Sequence, residues 1–582
     1  VRTFLLKCFT NNPPTPLTMT TADVVSYRTP APLQWELTQQ SEIFLEDGLF
    51  TQAYTLLYNV LASGTVSSSK AVIPRPQHLA VAATMLVHPR TTTRAQSGYE
   101  KEAANAALRL LRLASSLVSP MDAKLDIAFA FTHFESSRQG RRRQDSPTPL
   151  QPVNPDTKPL NTKYNQGSSL WTRAEDFWHA VGWAFNCSVL HPARWERWQV
   201  WLQFMCNVLE DDWKEREKKY KEDKENQTEP SEEKSGKSET ENEAGASSTE
   251  RRPRRGRPSK VVVPIDDDLG IFRESLIFRY VASNTTAGRD RRIMRAIFAN
   301  GKSSLSEFKE VFSDELKTAK EETQNIKKRA GEVNLDLDQY GDYLGDSDDE
   351  APPDTVSAPR ASRRSKRTRR GTRNAISDPD DLFEMTEIGQ TPSEDTTDLS
   401  SMGGYTSLAL RQQLLSILIR VSEKLPRDFI PLHDLYHTFV ENIRDLPLPV
   451  FQHFVTPSTL PHFPPEAHLT LCELLLYVMR ESSAPTSADP DFTQAKLEEC
   501  FLPYAAATPS VGNNAKISIL LEALVTLLYK GKMLSVSSEL KEAVQKGIAR
   551  REEACRDRES VEWDYLRESG FRMKFMVEHN LP

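Results

Sequence analysis

Apolar residues recur at three- and four-residue intervals over most of this chain, the spacing that lines one face of an α-helix. Leu33, Leu37, Ile43 and Phe44 begin the pattern, Asp47-Gly48 interrupts it, and Ala53, Leu56, Leu57, Val60 and Leu61 resume it. This predicts two helices joined at a glycine. Further helices are predicted over His78–Val87, Tyr99–Leu117 and Met121–Phe134. Between Trp171 and Trp213 stand seven of the nine tryptophans: Trp171, Trp178, Trp183, Trp195, Trp198, Trp201 and Trp213. Phe177, Val181, Phe185 and Val189 form one helical stripe. His191-Pro192 ends it, and Pro192 can open the next helix, where its missing N–H is no loss. A capped helix and a partner are predicted from Asp268 to Asn300, and at least four helices from Thr406 to Arg550. Strand-like alternation is absent. The predicted fold class is all-α, an irregular helical-repeat (solenoid-like) body interrupted by long disordered insertions.

Three stretches lack this pattern: Arg138–Leu170, Lys214–Lys260 and Lys320–Met402. They carry too few apolar side chains to offset an ordering cost of ~1–2 kcal/mol per residue. The chain then divides into a flexible N-terminus (1–32), an N-terminal helical-pair region (33–137), a disordered linker (138–170) and a Trp-rich helix pair (171–213). A charged insertion (214–263), a helical segment (264–319), a second insertion (320–402), a C-terminal helical region (403–550) and a tail (551–582) follow. Met19 reads as an initiator candidate, with Val1–Thr18 as upstream sequence.

Composition sharpens the division. Hydrophobic residues are 38% of the chain and charged residues 27%, against roughly 45–50% apolar in ordinary globular chains. The formal net charge of −7 conceals acidic and basic blocks. The six cysteines lie far apart with no CxxC, which excludes a disulfide framework or zinc ribbon. No apolar run approaches the ~20 residues of a membrane span, so no membrane partner is expected. Cofactor and reaction motifs are absent: there is no phosphate-cradling Gly-rich loop with Lys-Ser/Thr, no GxSxG and no HExxH. No cofactor and no enzymatic activity are assigned. His433 and His437 stand four residues apart and can face one way on a helix. Without a third ligand nearby, they read as a surface pair.

Within the N-terminal unit, Gly48, Phe50, Ala53, Leu57 and Tyr58 place small and large residues as paired helices need. This unit resembles one tetratricopeptide-type hairpin, though no 34-residue repeat follows.

The sharpest chemical signal lies inside the first insertion, where six of the ten residues 251–260 are basic. Arg255-Gly256-Arg257-Pro258, flanked by Arg254 and Lys260, resembles an AT-hook. That resemblance implies Gly256 on the floor of a narrow minor groove, Arg255 and Arg257 extended along A·T-rich DNA of low specificity, and Pro258 keeping the chain extended. Arg254 stands where a proline often precedes the central arginine. The same cluster also satisfies a nuclear-import signal. Arg363, Arg364, Lys366, Arg367, Arg369 and Arg370 make a second basic block without an acid, for import or phosphate contact. Val261, Val262, Val263, Ile265, Asp266 and Asp267 resemble a SUMO-interacting motif, whose strand would add to a sheet edge. The simpler reading is a linker with Asp268 capping the next helix. Ser146 and Thr148 precede prolines and Ser347 lies among acids, as kinase sites do. The tryptophans read as core before they read as a base-stacking platform. Arg194 and Arg197 lie among them as candidates for a partner surface, while Arg289, Arg291, Arg292 and Arg295 read as a solvated face.

Together these features predict a nuclear, non-enzymatic scaffold. Its helical body would bind protein subunits and its basic segments DNA, in a chromosome-maintenance, repair or transcription complex. The alternative is an assembly factor in ribosome biogenesis or RNA metabolism.

Overall fold

Gly48 takes φ +79°, a backbone region closed to most side chains. It lets Leu49 N–H return to the Phe44 carbonyl and close helix α1 (Trp35–Glu46) against α2 (Phe50–Ser63). The computed structural model describes residues 27–63, 70–131, 160–228, 269–283, 288–302, 305–313, 315–317, 399–457, 462–487, 489, 491–555 and 560–579. All of these except Leu316 and Lys317 belong to one unit, residues 1–315 with 394–582. The described residues are overwhelmingly helical, as the periodicity predicts.

The N-terminal helices continue with α3 (Pro76–Val87), α4 (Gly98–Leu117) and the single turn α5 (Leu125–Ala128). Ser97 caps α4 by accepting from Glu100 N–H, and Glu100 reaches back to Gln96 N–H. Both α2 and α3 pack on α4, whose inner face is Ala103, Ala106, Ala107, Leu110 and Leu111. Small residues there let the helix axes approach. The helix expected over Met121–Phe134 is reduced to α5, because Lys124 turns into a left-handed conformation (φ +50°) just before it.

Two further expectations are corrected. Strands are present: β1 (Pro30–Pro32) pairs in parallel with β2 (Ala71–Ile73). A Pro-Ala-Pro strand lacks alternation and two N–H donors, so periodicity could not reveal it. The linker assigned to 138–170 is partly packed, with Leu160, Tyr164 and Leu170 buried. The Tyr164 ring lies 5.1 Å from that of Phe50 and 4.8 Å from that of His88.

At the centre lie α6 (Leu170–Arg173), α7 (Phe177–Leu190) and α8 (Pro192–Thr228). Asp176 caps α7 through His179 N–H, and Pro192 opens α8. From Phe177 to Cys187 every side chain is buried, so α7 is wrapped on all sides. Trp178, Trp183, Trp198, Trp201 and Trp213 are each 2% exposed or less, and rings of this size bury about 150–250 Å² each. Several indole N–H groups are satisfied in place: Trp171 by Ala80 O at 2.9 Å, Trp178 by Tyr280 O at 3.1 Å.

Three short helices follow: α9 (Gly270–Arg273), α10 (Leu276–Ala282) and α11 (Arg289–Ile297). Ser275 caps α10; Asp268, the cap expected from sequence, lies outside the described residues. The C-terminal part runs through α12 (Gly404–Lys424), α13 (Leu432–Ile443), α14 (Leu448–Val455), α15 (Pro465–Met479), α16 (Gln494–Cys500) and α17 (Val511–Lys530). It ends with α18 (Ser538–Ala554) and α19 (Glu562–His579). The stretch assigned as a tail therefore holds a packed helix. Leu566, Ser569, Gly570, Met573 and Val577 are buried, and α19 lies along α17 and α18. By length and composition α17 could cross a membrane, contrary to the expectation from apolar runs, but most of it is buried within the body.

At Gly547, on the inner face of α18, an added Cβ would overlap the carbonyl oxygen of Leu502. Alanine is intrinsically the better helix former by about 1 kcal/mol, yet backbone cannot yield as a side chain does. Gly547→Ala is expected to destabilise by about 2–3 kcal/mol in urea unfolding. A neutral or stabilising result would mean that α18 does not sit this close.

Candidate functional site

Every residue given a DNA-contact, nuclear-import, SUMO-binding or phosphorylation role from sequence lies outside the described residues. This holds for Arg254–Pro258 with Lys260, Val261–Asp267, the basic block Arg363–Arg370, and Ser146, Thr148 and Ser347. What the structure describes is where their segments leave and rejoin the body.

The segment bearing the AT-hook-like motif departs from the end of α8, where Lys221–Glu225 are charged and exposed. It rejoins at Leu269. There, one turn of α8 grips the returning chain. Arg216 Nη1 donates to the Ile271 carbonyl at 2.7 Å, and Asp212 Oδ2 accepts Leu276 N–H at 2.9 Å. Arg216 and Asp212 are themselves paired at 3.0 Å, both side chains 5% exposed. Burial pushes the Asp212 carboxyl above its usual range, against the pull of Arg216 and of Leu276 N–H. The rings of Trp213 and Tyr220 close over Phe272 at 5.1 and 5.3 Å.

The second insertion leaves next to another buried charge. Glu315, its side chain fully buried, accepts from Arg194 through Nε at 2.8 Å and Nη2, and from Trp198 Nε1 at 2.7 Å. Its other oxygen accepts Phe312 N–H at 3.2 Å. On rejoining, the chain passes Met402 and Gly403, and Gly403 lies directly against Ser188 of α7. Arg411, fully buried, donates to the carbonyls of Ile297 and Ala299 and stacks over Phe185 with its guanidinium carbon 4.0 Å from the ring centroid. Burial lowers its pKa to about 9, which leaves it charged at neutral pH. Departure at Glu315 and return at Gly403 thus flank the same α7–α8 corner.

These anchors overturn the surface reading of Arg194 and bear out the core reading of the clustered tryptophans. Arg194, a candidate for a partner surface, is a buried staple; Arg197 remains half-exposed beside it. The tryptophans are interior and offer no stacking platform. The basic face on α11 is largely committed within the body. Arg292 pairs with Asp176 and Glu175, Arg295 with Glu307, and Arg289 donates to the Phe429 carbonyl at 2.9 Å. Arg291 and Arg295 are exposed and follow the solvated reading, Arg295 as part of a surface pair with Glu307. Glu315 has no signal in sequence, because the Arg194 and Trp198 it pairs with lie more than a hundred residues away.

Among the described residues, no group of three or more His, Cys, Asp or Glu side chains could hold a metal ion. Five cysteines are free and buried, and burial raises the thiols of Cys187, Cys206 and Cys472, the opposite of an activated nucleophile. The class defined by these features is a mostly helical body in which buried charges fix the chain on either side of two long segments outside the described residues. No protein-family model matches the chain, and no curated protein matches it.

Proposed function

We propose that the chain is a nuclear, non-enzymatic scaffold whose helical body, an irregular stack of helix pairs beginning with the tetratricopeptide-like α1–α2, binds protein subunits. Its basic segments tether it to A·T-rich DNA, within a chromosome-maintenance, repair or transcription complex. The observation that carries this reading is Arg255-Gly256-Arg257-Pro258 on a segment between Thr228 and Leu269, joined at both ends to a body with a clamped root. Each basic segment gives weak, salt-sensitive contact. A docked body raises its effective concentration near the chromosome, so modest contacts combine into firm attachment. The adjoining Val261–Asp267 offers SUMO a strand, and phosphate on Ser146, Thr148 or Ser347 would shift the local charge by about −1.5 to −2.

The test is the double replacement Arg255→Ala, Arg257→Ala in the full chain. Affinity for an A·T-rich duplex should fall at least about tenfold, and the slope of log affinity against log salt should flatten by about 2. Unchanged affinity and slope reject minor-groove binding. Preference for structured RNA in competition would instead favour ribosome biogenesis or RNA metabolism.

A further inference from the structure

The outer face of α13 carries a second arrangement that the tethering function does not use. His433 and His437 are both exposed, and their Nε2 atoms stand 2.9 Å apart. The ring centroids are 4.3 Å apart with the planes at 87°. A head-on N–H···N hydrogen bond of that length would hold the ring centres about 5.2 Å apart, given imidazole dimensions and ordinary bond geometry. The shorter separation means that the two nitrogens are not end to end.

That spacing has the dimensions of a metal chelate. Two imidazole nitrogens bound at about 2.0–2.1 Å and at a right angle lie about 2.9 Å apart, with ring centres about 4.5 Å apart. At a tetrahedral angle the nitrogens would lie about 3.4 Å apart. The observed spacing fits adjacent corners of a square or octahedron. We propose that His433 and His437 form a two-histidine site for a divalent transition-metal ion of right-angled geometry, copper(II) or nickel(II), with the remaining positions filled by water.

The helix makes the site stiff. Residues four apart share one face, while Leu435, Tyr436, Phe439, Val440 and Ile443 bury the opposite face of α13 against the body. The backbone between the two ligands is therefore fixed before the ion arrives, and little ordering opposes binding. Asp434 and Glu441, both exposed on the same helix, add negative potential for a cation. Two ligands make this an exposed site of modest affinity, in keeping with the absence of any three-ligand group among the described residues.

The experiment titrates the untagged full chain with copper(II) chloride, nickel(II) chloride and zinc chloride by calorimetry, with electron paramagnetic resonance on the copper form. The wild type is expected to bind one copper(II) with a two-nitrogen signature and to bind nickel(II) more tightly than zinc(II). His433→Gln and His437→Gln should each lower copper affinity by more than about tenfold and leave thermal unfolding of the metal-free protein unchanged, since both rings are exposed. Copper binding that survives either substitution overturns the proposal, and so does a wild type that binds no more copper than the double variant. Zinc(II) binding as tight as nickel(II) would contradict the right-angled geometry.

Discussion

Replacing Glu315 with alanine should cost about 3–5 kcal/mol of folding stability, the toll of leaving one charge of a buried pair without its partner. The Arg194 side chain is 4% exposed and that of Glu315 0%, so water cannot take over the lost contacts. Arg194 would keep its hydrogen bonds to Thr92 Oγ1 and Thr93 Oγ1 at 3.0 and 3.2 Å, but these neutral acceptors do not balance a guanidinium. Trp198 Nε1 and Phe312 N–H would lose their acceptor in the same substitution. The pair Arg194→Met with Glu315→Leu should cost less than Glu315→Ala alone, since no charge remains buried. Urea unfolding of the single and double variants decides it. A single variant within 1 kcal/mol of wild type, as a surface pair would give, contradicts the buried staple.

Acid should unfold this body steeply, and two histidines supply much of the slope. Burial, with Arg75 adding repulsion, holds the imidazole of His78 down at about 3. Burial again, with Arg90 and Arg194 nearby, does the same for His88. In the unfolded chain each titrates near its ordinary value of about 6.5. Between those limits the unfolded state binds protons that the folded state refuses, so stability falls as pH falls through 6.5 and continues falling to about 3. Each histidine contributes a slope approaching 1.4 kcal/mol per pH unit, about 2.7 for the two. Denaturant unfolding at pH 7, 5 and 4 measures the slope. His78→Gln should flatten it by about one histidine's share. Equal slopes for the variant and wild type would mean that His78 accepts a proton in the fold.

Sequence periodicity was most informative where a helix has one broad apolar stripe or a hard stop. The Phe177–Val189 stripe, the break at His191-Pro192 and the turn at Gly48 correspond to α7, α8 and the α1–α2 junction. It was least informative where packing is made by small or polar residues. The buried face of α19 includes Ser569 and Gly570 within a strongly charged segment, so it presents no obvious stripe. Leu160 and Tyr164 are single apolar residues in polar surroundings, and only their distant partners give them a place in the core. Contacts such as Arg194 with Glu315 join residues 121 apart, a relation that no local pattern encodes. The basic clusters were legible as charge, and their residues remain outside the described structure.

The long helix α8 runs on well beyond the turn that grips the returning chain. Thr228 stands about 18 Å along the axis from the Arg216 turn that grips Ile271, at 1.5 Å per residue. The intervening stretch of roughly 40 residues could extend to about 130 Å, several times what the return journey requires. Arg255 stands 14 residues before Leu269, so it can lie no more than about 45–50 Å from that root. The clamp on Ile271, rather than the overall length of the segment, therefore bounds the distance of Arg255 from the body.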